Sequence, residues 1–140
     1  MKKGLEIRAY QVECGPKRDL VALELDGRSP AVEFLRKLKK SNAKGFQILE
    51  GHMRALGAVD EVTPRHTFKQ LDASRQLYEF KVRSGIRLYC CLLGGALVIL
   101  TNGGTKNTQK EQNKDIRKAK GMINQMRSLI EKGAELNIIT

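Results

Sequence analysis

Between Leu77 and Leu92 the apolar residues recur at every second position, and this period of two constrains the chain more than any other feature it carries. Tyr78, Phe80 and Val82 share one side, with Glu79 and Lys81 on the other; beyond Arg83-Ser84-Gly85 the alternation resumes with Ile86, Leu88, Cys90 and Leu92. A tight turn with Gly85 in the left-handed position pairs Val82 with Ile86 and keeps both apolar sets on one face. That register sets Lys81 opposite Arg87 and Glu79 opposite Tyr89 on the other face, so two cations and a phenol gather near the turn.

The remaining elements follow from period and punctuation. Val21, Leu23 and Leu25 alternate into Asp26-Gly27, a strand and its turn. Ser29-Pro30 is an N-cap with proline at the first helical position, leading Ala31, Phe34, Leu35 and Leu38 along one helix face. Phe46, Leu49, Met53 and Leu56, ended by Gly57, mark a second helix, and the two read as an αα-hairpin. Residues 58–75 read as loop. Gly94-Gly95 turns the chain into Ala96–Leu100, apolar on both faces and therefore a covered central strand. From Lys106 to about Lys132 a long helix is expected, with Ile116, Ala119, Ile123, Met126 and Ile130 as its buried stripe. Leu5–Val12 suits a short strand cut off by Gly15-Pro16, and residues 1–18 read as an appendage to a single domain over 19–140. The class is α+β, with a twisted antiparallel sheet.

Charge then narrows the partners. Lys and Arg number 26 against 15 Asp and Glu in 140 residues, a formal +11 that draws polyanions or an acidic protein. The segment 106–132 holds eight of those cations and three acids, and Lys106, Lys110, Lys114 and Lys118 recur every four residues. Like charges at that spacing favour a counter-anion. No apolar run reaches the ~20 residues of a membrane span, and the basic N-terminus leads into no signal-like apolar core. Cys14, Cys90 and Cys91 have neither the number nor the spacing of a disulfide framework or a zinc site, which suits a reducing cytoplasm. His52 and His66 lack partner ligands in the sequence, so no metal is expected; His66 is a candidate base. Asn102-Gly103-Gly104-Thr105-Lys106 lacks the spacing of a P-loop, which argues against nucleotide hydrolysis.

Four stretches, Asp26-Gly27-Arg28-Ser29-Pro30-Ala31-Val32-Glu33-Phe34-Leu35, Phe68-Lys69-Gln70-Leu71, Leu77–Val82 through Arg87-Leu88-Tyr89, and Lys106-Asn107-Thr108-Gln109-Lys110, resemble in order and spacing the RelE/ParE superfamily and its HigB-like branch. The resemblance spans roughly residues 20–127. It implies a RelE-like fold with a C-terminal basic helix. It also implies the toxin of a type II toxin–antitoxin system, a ribosome-dependent endoribonuclease that cuts mRNA and is held by a helix-turn-helix antitoxin. Catalysis of that kind uses no metal or other cofactor: the 2′-hydroxyl attacks the adjacent phosphate while cations meet the developing charge. The family's strand arginine falls on Arg87, its preceding basic positions on Lys81 and Lys69, and its tail lysines on Lys106 and Lys110. The chain departs from the pattern at Gly104, where the family has an aromatic, at Asn107, where it has a second lysine, and in lacking a proline after Lys110.

The candidate catalytic residues are therefore Arg87, Lys81, Lys106 and Tyr89, and the candidate RNA or ribosome contacts Lys69, Lys110, Lys114, Arg117 and Lys118. Each has a plainer alternative. The lysines suit the wet face of a sheet or helix, and Tyr89 suits a ring packed on the sheet with its hydroxyl in water. Cys90 and Cys91 read as strand packing. Besides the nuclease, the residues allow a non-catalytic interaction protein of the same fold, decayed or gyrase-directed, and a basic RNA-binding module without cleavage.

Overall fold

The computed structural model describes residues 6–63, 66–105 and 108–140. Seven strands and three helices follow one another as β1 (Glu6–Cys14), β2 (Asp19–Glu24), α1 (Pro30–Ser41), α2 (Ala43–Ala58), β3 (Phe68–Asp72), β4 (Leu77–Val82), β5 (Ile86–Leu93), β6 (Leu97–Gly104), α3 (Gln109–Glu131) and β7 (Glu135–Ile139). All seven strands join one sheet in the order β3-β4-β5-β6-β2-β1-β7.

Three expectations change. The sheet is mixed rather than antiparallel, because β2 runs parallel to β6 and β1 parallel to β7. The stretch expected as an appendage supplies β1, which pairs with β2 on one side and β7 on the other. Its alternation inserts Ile7 and Ala9 into one core layer and Tyr10 and Val12 against the other. The loop expected over 58–75 contains β3, whose short, bulged pairing with β4 leaves only Phe68 buried and hides the period. β7, after the long helix, had no sequence signal: two of its five residues are partly buried and the rest exposed.

The hairpin forms in the expected register, Val82↔Ile86, Lys81↔Arg87 and Glu79↔Tyr89. Its turn holds two residues at positive φ, Ser84 at 73° and Gly85 at 86°. Cys90 and Cys91 take opposite faces, as adjacent strand residues must. α1 begins where expected, with Ser29 Oγ accepting from the Val32 amide. Asn42 ends α1 through its backbone N–H and starts α2 by accepting from the Gly45 amide. α3 is capped by Thr108; its buried stripe holds Ala119, Met122, Ile123 and Met126, while Ile130 is exposed.

Helices cover both faces. Leu35, Leu38, Leu49 and Met53 of α1 and α2 pack on Leu20, Phe80, Leu88 and Leu100, and α3 packs on Val21, Leu77, Tyr89, Cys91 and Ile99. The end of α2 is closed by the turn before β2. Lys17 and Arg18 amides donate to Gly57 O at 2.8 and 3.1 Å, and the buried Arg18 guanidinium donates to the Leu56, Val59 and Asp60 carbonyls. A helix C-terminus leaves its last carbonyls unpaired, so this turn acts as a cap. The turn fits only because residue 15 is glycine: a Cβ there would meet Gly57 O and lie 2.7 Å from Arg18 O.

Across the β3–β4 turn, Asp72 accepts from the Ser74 hydroxyl at 2.7 Å and from Arg75 at 2.6 Å, and these bonds hold its carboxyl down at about 2. Arg75 in turn donates to Asn124 of α3, and Arg127 of α3 donates to the Arg75 carbonyl at 3.0 Å.

Gly51 and Gly121 lie in helix interiors where an added methyl group would meet open space, and each should gain up to ~1 kcal/mol on substitution by alanine. Gly15→Ala should instead lower the urea midpoint markedly; equal midpoints for the three variants would contradict the packing of the turn on α2. Because the Asp72 carboxyl is depressed, its contribution is present above its ordinary value near 4 and lost as pH falls toward 2. The midpoint difference between the native chain and Asp72→Asn should therefore shrink across that window.

Candidate functional site

Strand pairing sets two rows of side chains across β3 to β6 on the face that α3 covers. In one row Lys69 faces Glu79, Glu79 faces Tyr89, and Tyr89 faces Asn102. In the other, Lys81 faces Arg87 and Arg87 faces Gly104. Lys69, Lys81, Arg87 and Tyr89, each singled out in the sequence, thus share one patch of sheet.

The two cations do not stand uncompensated there. Arg87 Nη1 donates to Glu79 Oε1 at 2.7 Å, with the two side chains 14% and 5% exposed. The anion comes from the diagonal neighbour on β4, within reach of long side chains although not directly opposite. The pair fixes the guanidinium on the sheet and leaves Arg87 Nε buried without a hydrogen-bond partner among the described residues.

Tyr89 departs from expectation, since its hydroxyl is not in water. The residue is fully buried and its hydroxyl also lacks a partner among the described residues. Burial raises its pKa, and Glu79 and Asp115 raise it further against the opposing pull of Arg87. The phenol is held in its protonated, donor form.

Above this patch sits the first half of α3. Asn102 Nδ2 donates to the Asp115 carbonyl at 3.0 Å, and the Thr101 hydroxyl donates to Asn102 Oδ1 at 2.9 Å, a buried chain that seats the helix on β6. A Cβ on Gly104 would collide with the Asp115 carboxylate, and one on Gly103 with the Phe34 ring of α1. The paired glycines let α1 and α3 close on the end of β6 from opposite faces. Position 104, where the resemblance led to an aromatic, thus lies beneath the Asp115 carboxylate.

Lys110, Lys114, Arg117 and Lys118 are exposed, but Lys118 lies toward α1, where it helps lower the Glu33 carboxyl. Lys120 reaches the other way, 3.8 Å from Asp72. Lys106 lies outside the described residues. His66 is exposed and His52 partly buried, its imidazole pushed toward the neutral form by desolvation.

Sequence reasoning missed the part played by Glu79 and Asp115. For Glu79 a signal existed, because the hairpin register already placed a carboxylate one pair away from Arg87. For Asp115 there was none, since its place depends on how α3 docks.

A family model described as phage-derived protein Gp49-like matches residues 18–124, about three quarters of the chain. The match takes in the hairpin, both sheet rows and the first two thirds of α3, and leaves out β1 and β7. No curated protein matches this chain.

Arg87→Ala would strand the Glu79 carboxylate in a nearly closed site and should cost about 3 kcal/mol or more in urea unfolding. Glu79→Gln/Arg87→Met, which removes both charges, should recover most of that loss. If the double variant is as unstable as the single one, the pair does not carry the energy assigned to it.

Proposed function

Because this chain belongs to the Gp49-like family of phage-derived proteins, a toxin-like family of the RelE/ParE superfamily, we propose that it is the toxin of a type II toxin–antitoxin system that cuts mRNA on the ribosome. On this reading the mixed sheet with α1, α2 and α3 is a RelE-like fold of the HigB type, α1 and α2 form its helical hairpin, and α3 is its basic helix. The cytoplasm is its place of action and a helix-turn-helix protein its antitoxin. Among the described residues no helix is long and apolar enough to cross a membrane.

The observation that carries the reading is the patch itself, where Lys69, Lys81, Arg87 and Tyr89 come from three adjacent strands to one face. Every one of them is a hydrogen-bond donor, and a set of donors on a rigid sheet suits charge building up on a phosphate. In the reaction the ribose 2′-hydroxyl attacks the adjacent phosphorus, the bond to the next 5′-oxygen breaks, and the proton lost by one oxygen is matched by the proton gained by the other. Arg87, oriented in advance by Glu79, meets the phosphoryl oxygens. Lys81 and Lys106 add charge or move protons, and Tyr89 is a proton donor. Lys69, Lys110, Lys114, Arg117 and Lys118 hold the RNA or ribosome, a contact set that makes binding steeply salt-dependent.

One observation favours a second reading. Glu79 already occupies Arg87, and the Tyr89 hydroxyl is sealed from solvent. A non-catalytic protein of the same fold, which binds an antitoxin or another partner through its basic surface, needs no opening of that pair.

Inducible expression in bacteria, with growth and mRNA 5′ ends followed together, separates the two. A nuclease should arrest growth and leave new 5′ ends inside translated messages. Lys69→Ala/Lys81→Ala, which spares the core, should reduce the cuts roughly a hundredfold. Healthy growth with intact messages at confirmed soluble expression would move the conclusion to the non-catalytic protein.

A further inference from the structure

The α1–α2 junction carries the densest run of cations in the chain, and none of it belongs to the patch described above. Arg36, Lys37, Lys39, Lys40 and Lys44 fall within nine residues with no acid between Glu33 and Glu50. All five are exposed, and among the described residues none is in an ion pair. The acid of α1, Glu33, is already bound to Arg28 at 2.8 Å. Lys39 lies 5.8 Å from the centre of the Phe46 ring and Lys37 helps lower the Glu33 carboxyl, and the C-terminal end of α1 favours cations, yet five positive charges against that one acid leave a surplus that attracts an anion.

Beside them runs a groove of about 420 Å³, lined by Phe34, Lys37, Leu38, Lys40, Ser41 and Thr105. Its lining is mostly apolar and includes the two lysines. One edge of the Phe34 ring rests on Gly103, so the ring is braced by β6. An aromatic on a rigid support beside lysines one helical turn apart is the combination that single-stranded nucleic acids select, since bases stack and phosphates need cations at short intervals. An acidic protein segment would use the charge but gains nothing from a braced ring.

We infer that this groove is a second nucleic-acid contact, in which one base of a single-stranded RNA stacks on Phe34 while Lys37 and Lys40 hold its flanking phosphates. The contact deepens the proposed function by naming where RNA is gripped outside the reacting patch, yet it does not depend on cleavage. A non-catalytic protein would keep it.

The test uses the whole chain and a short single-stranded RNA, 2′-O-methylated throughout and carrying one 2-aminopurine. Without free 2′-hydroxyls the probe cannot be cut, so binding here and cutting in cells succeed or fail separately. Anisotropy across a salt series should give a log–log slope flatter by about 1.4 in Lys37→Gln/Lys40→Gln, two phosphates at about 0.7 each. The charge-matched control Lys17→Gln/Lys132→Gln should keep the native slope. Stacking should quench 2-aminopurine emission in the native chain and in Phe34→Tyr, and lose the quench in Phe34→Leu, with thermal melts showing that each variant folds. A double variant no different from its control, or an unquenched probe, would overturn the inference. So would poly-glutamate that binds as tightly as RNA and loses affinity in the same double variant, since the surface would then be a site for an acidic protein.

Discussion

Four residue pairs between β2 and β6, from Asp19↔Leu97 to Ala22↔Leu100, join what would otherwise be two smaller sheets. On one side of this seam lie β1, β2 and β7, and on the other β3 to β6. A parallel pair cannot be closed by a tight turn, and here the chain crosses α1, α2 and three strands before it returns. Strands at such a seam must be apolar on both faces, and they are: Leu20, Ala22, Val98 and Leu100 enter one core, Val21, Leu23 and Ile99 the other, all fully buried. The need to cover both faces is what sets α1 and α2 on one side and α3 on the other.

That arrangement shapes the donor patch. Donors from β3, β4 and β5 stand on the α3 face, where docking of the helix controls how much water they see. Two carboxylates, Glu79 from the sheet and Asp115 from the helix, hold the electrostatics close to balance under a strongly basic surface. Burying the Arg87–Glu79 pair costs desolvation that its hydrogen bond offsets, so the pair orients more than it stabilises. The glycine pair at 103 and 104 couples the same region to α1, where the exposed lysines lie. The donor patch and the α1 groove therefore meet at the end of β6, one on each face.

The family match stops at both ends inside this structure. β1 and β7 fall outside residues 18–124, yet they extend the sheet past β2 and give it a parallel edge. Ile7 and Ala9 of β1 and Ala134 before β7 are part of the core under α3. These flanking strands thus complete the α3-side layer without contributing to the donor patch.

Local chemistry made much of this legible. The hairpin register, the start of α1 at Ser29-Pro30, the end of α2 near Gly57 and the covered strand at 97–100 all follow from side-chain period and backbone preference, which act over a few residues. From the register alone it followed that Lys81, Arg87, Glu79 and Tyr89 share a face. What stood outside that reach was set by contacts between distant segments. β3 has too few buried residues to show a period, β1 reads as a strand but joins the sheet only through β2 and β7, β7 pairs with β1 alone, and the parallel seam joins residues far apart in the chain, Asp19 with Leu97 at its start. Whether Arg87 is bare or paired and whether Tyr89 meets water depended on a diagonal neighbour and on where α3 settles. Sequence determines which side chains leave a strand together; only packing determines which charges meet and how much solvent remains around them, because desolvation belongs to the assembled interior and not to any stretch of chain.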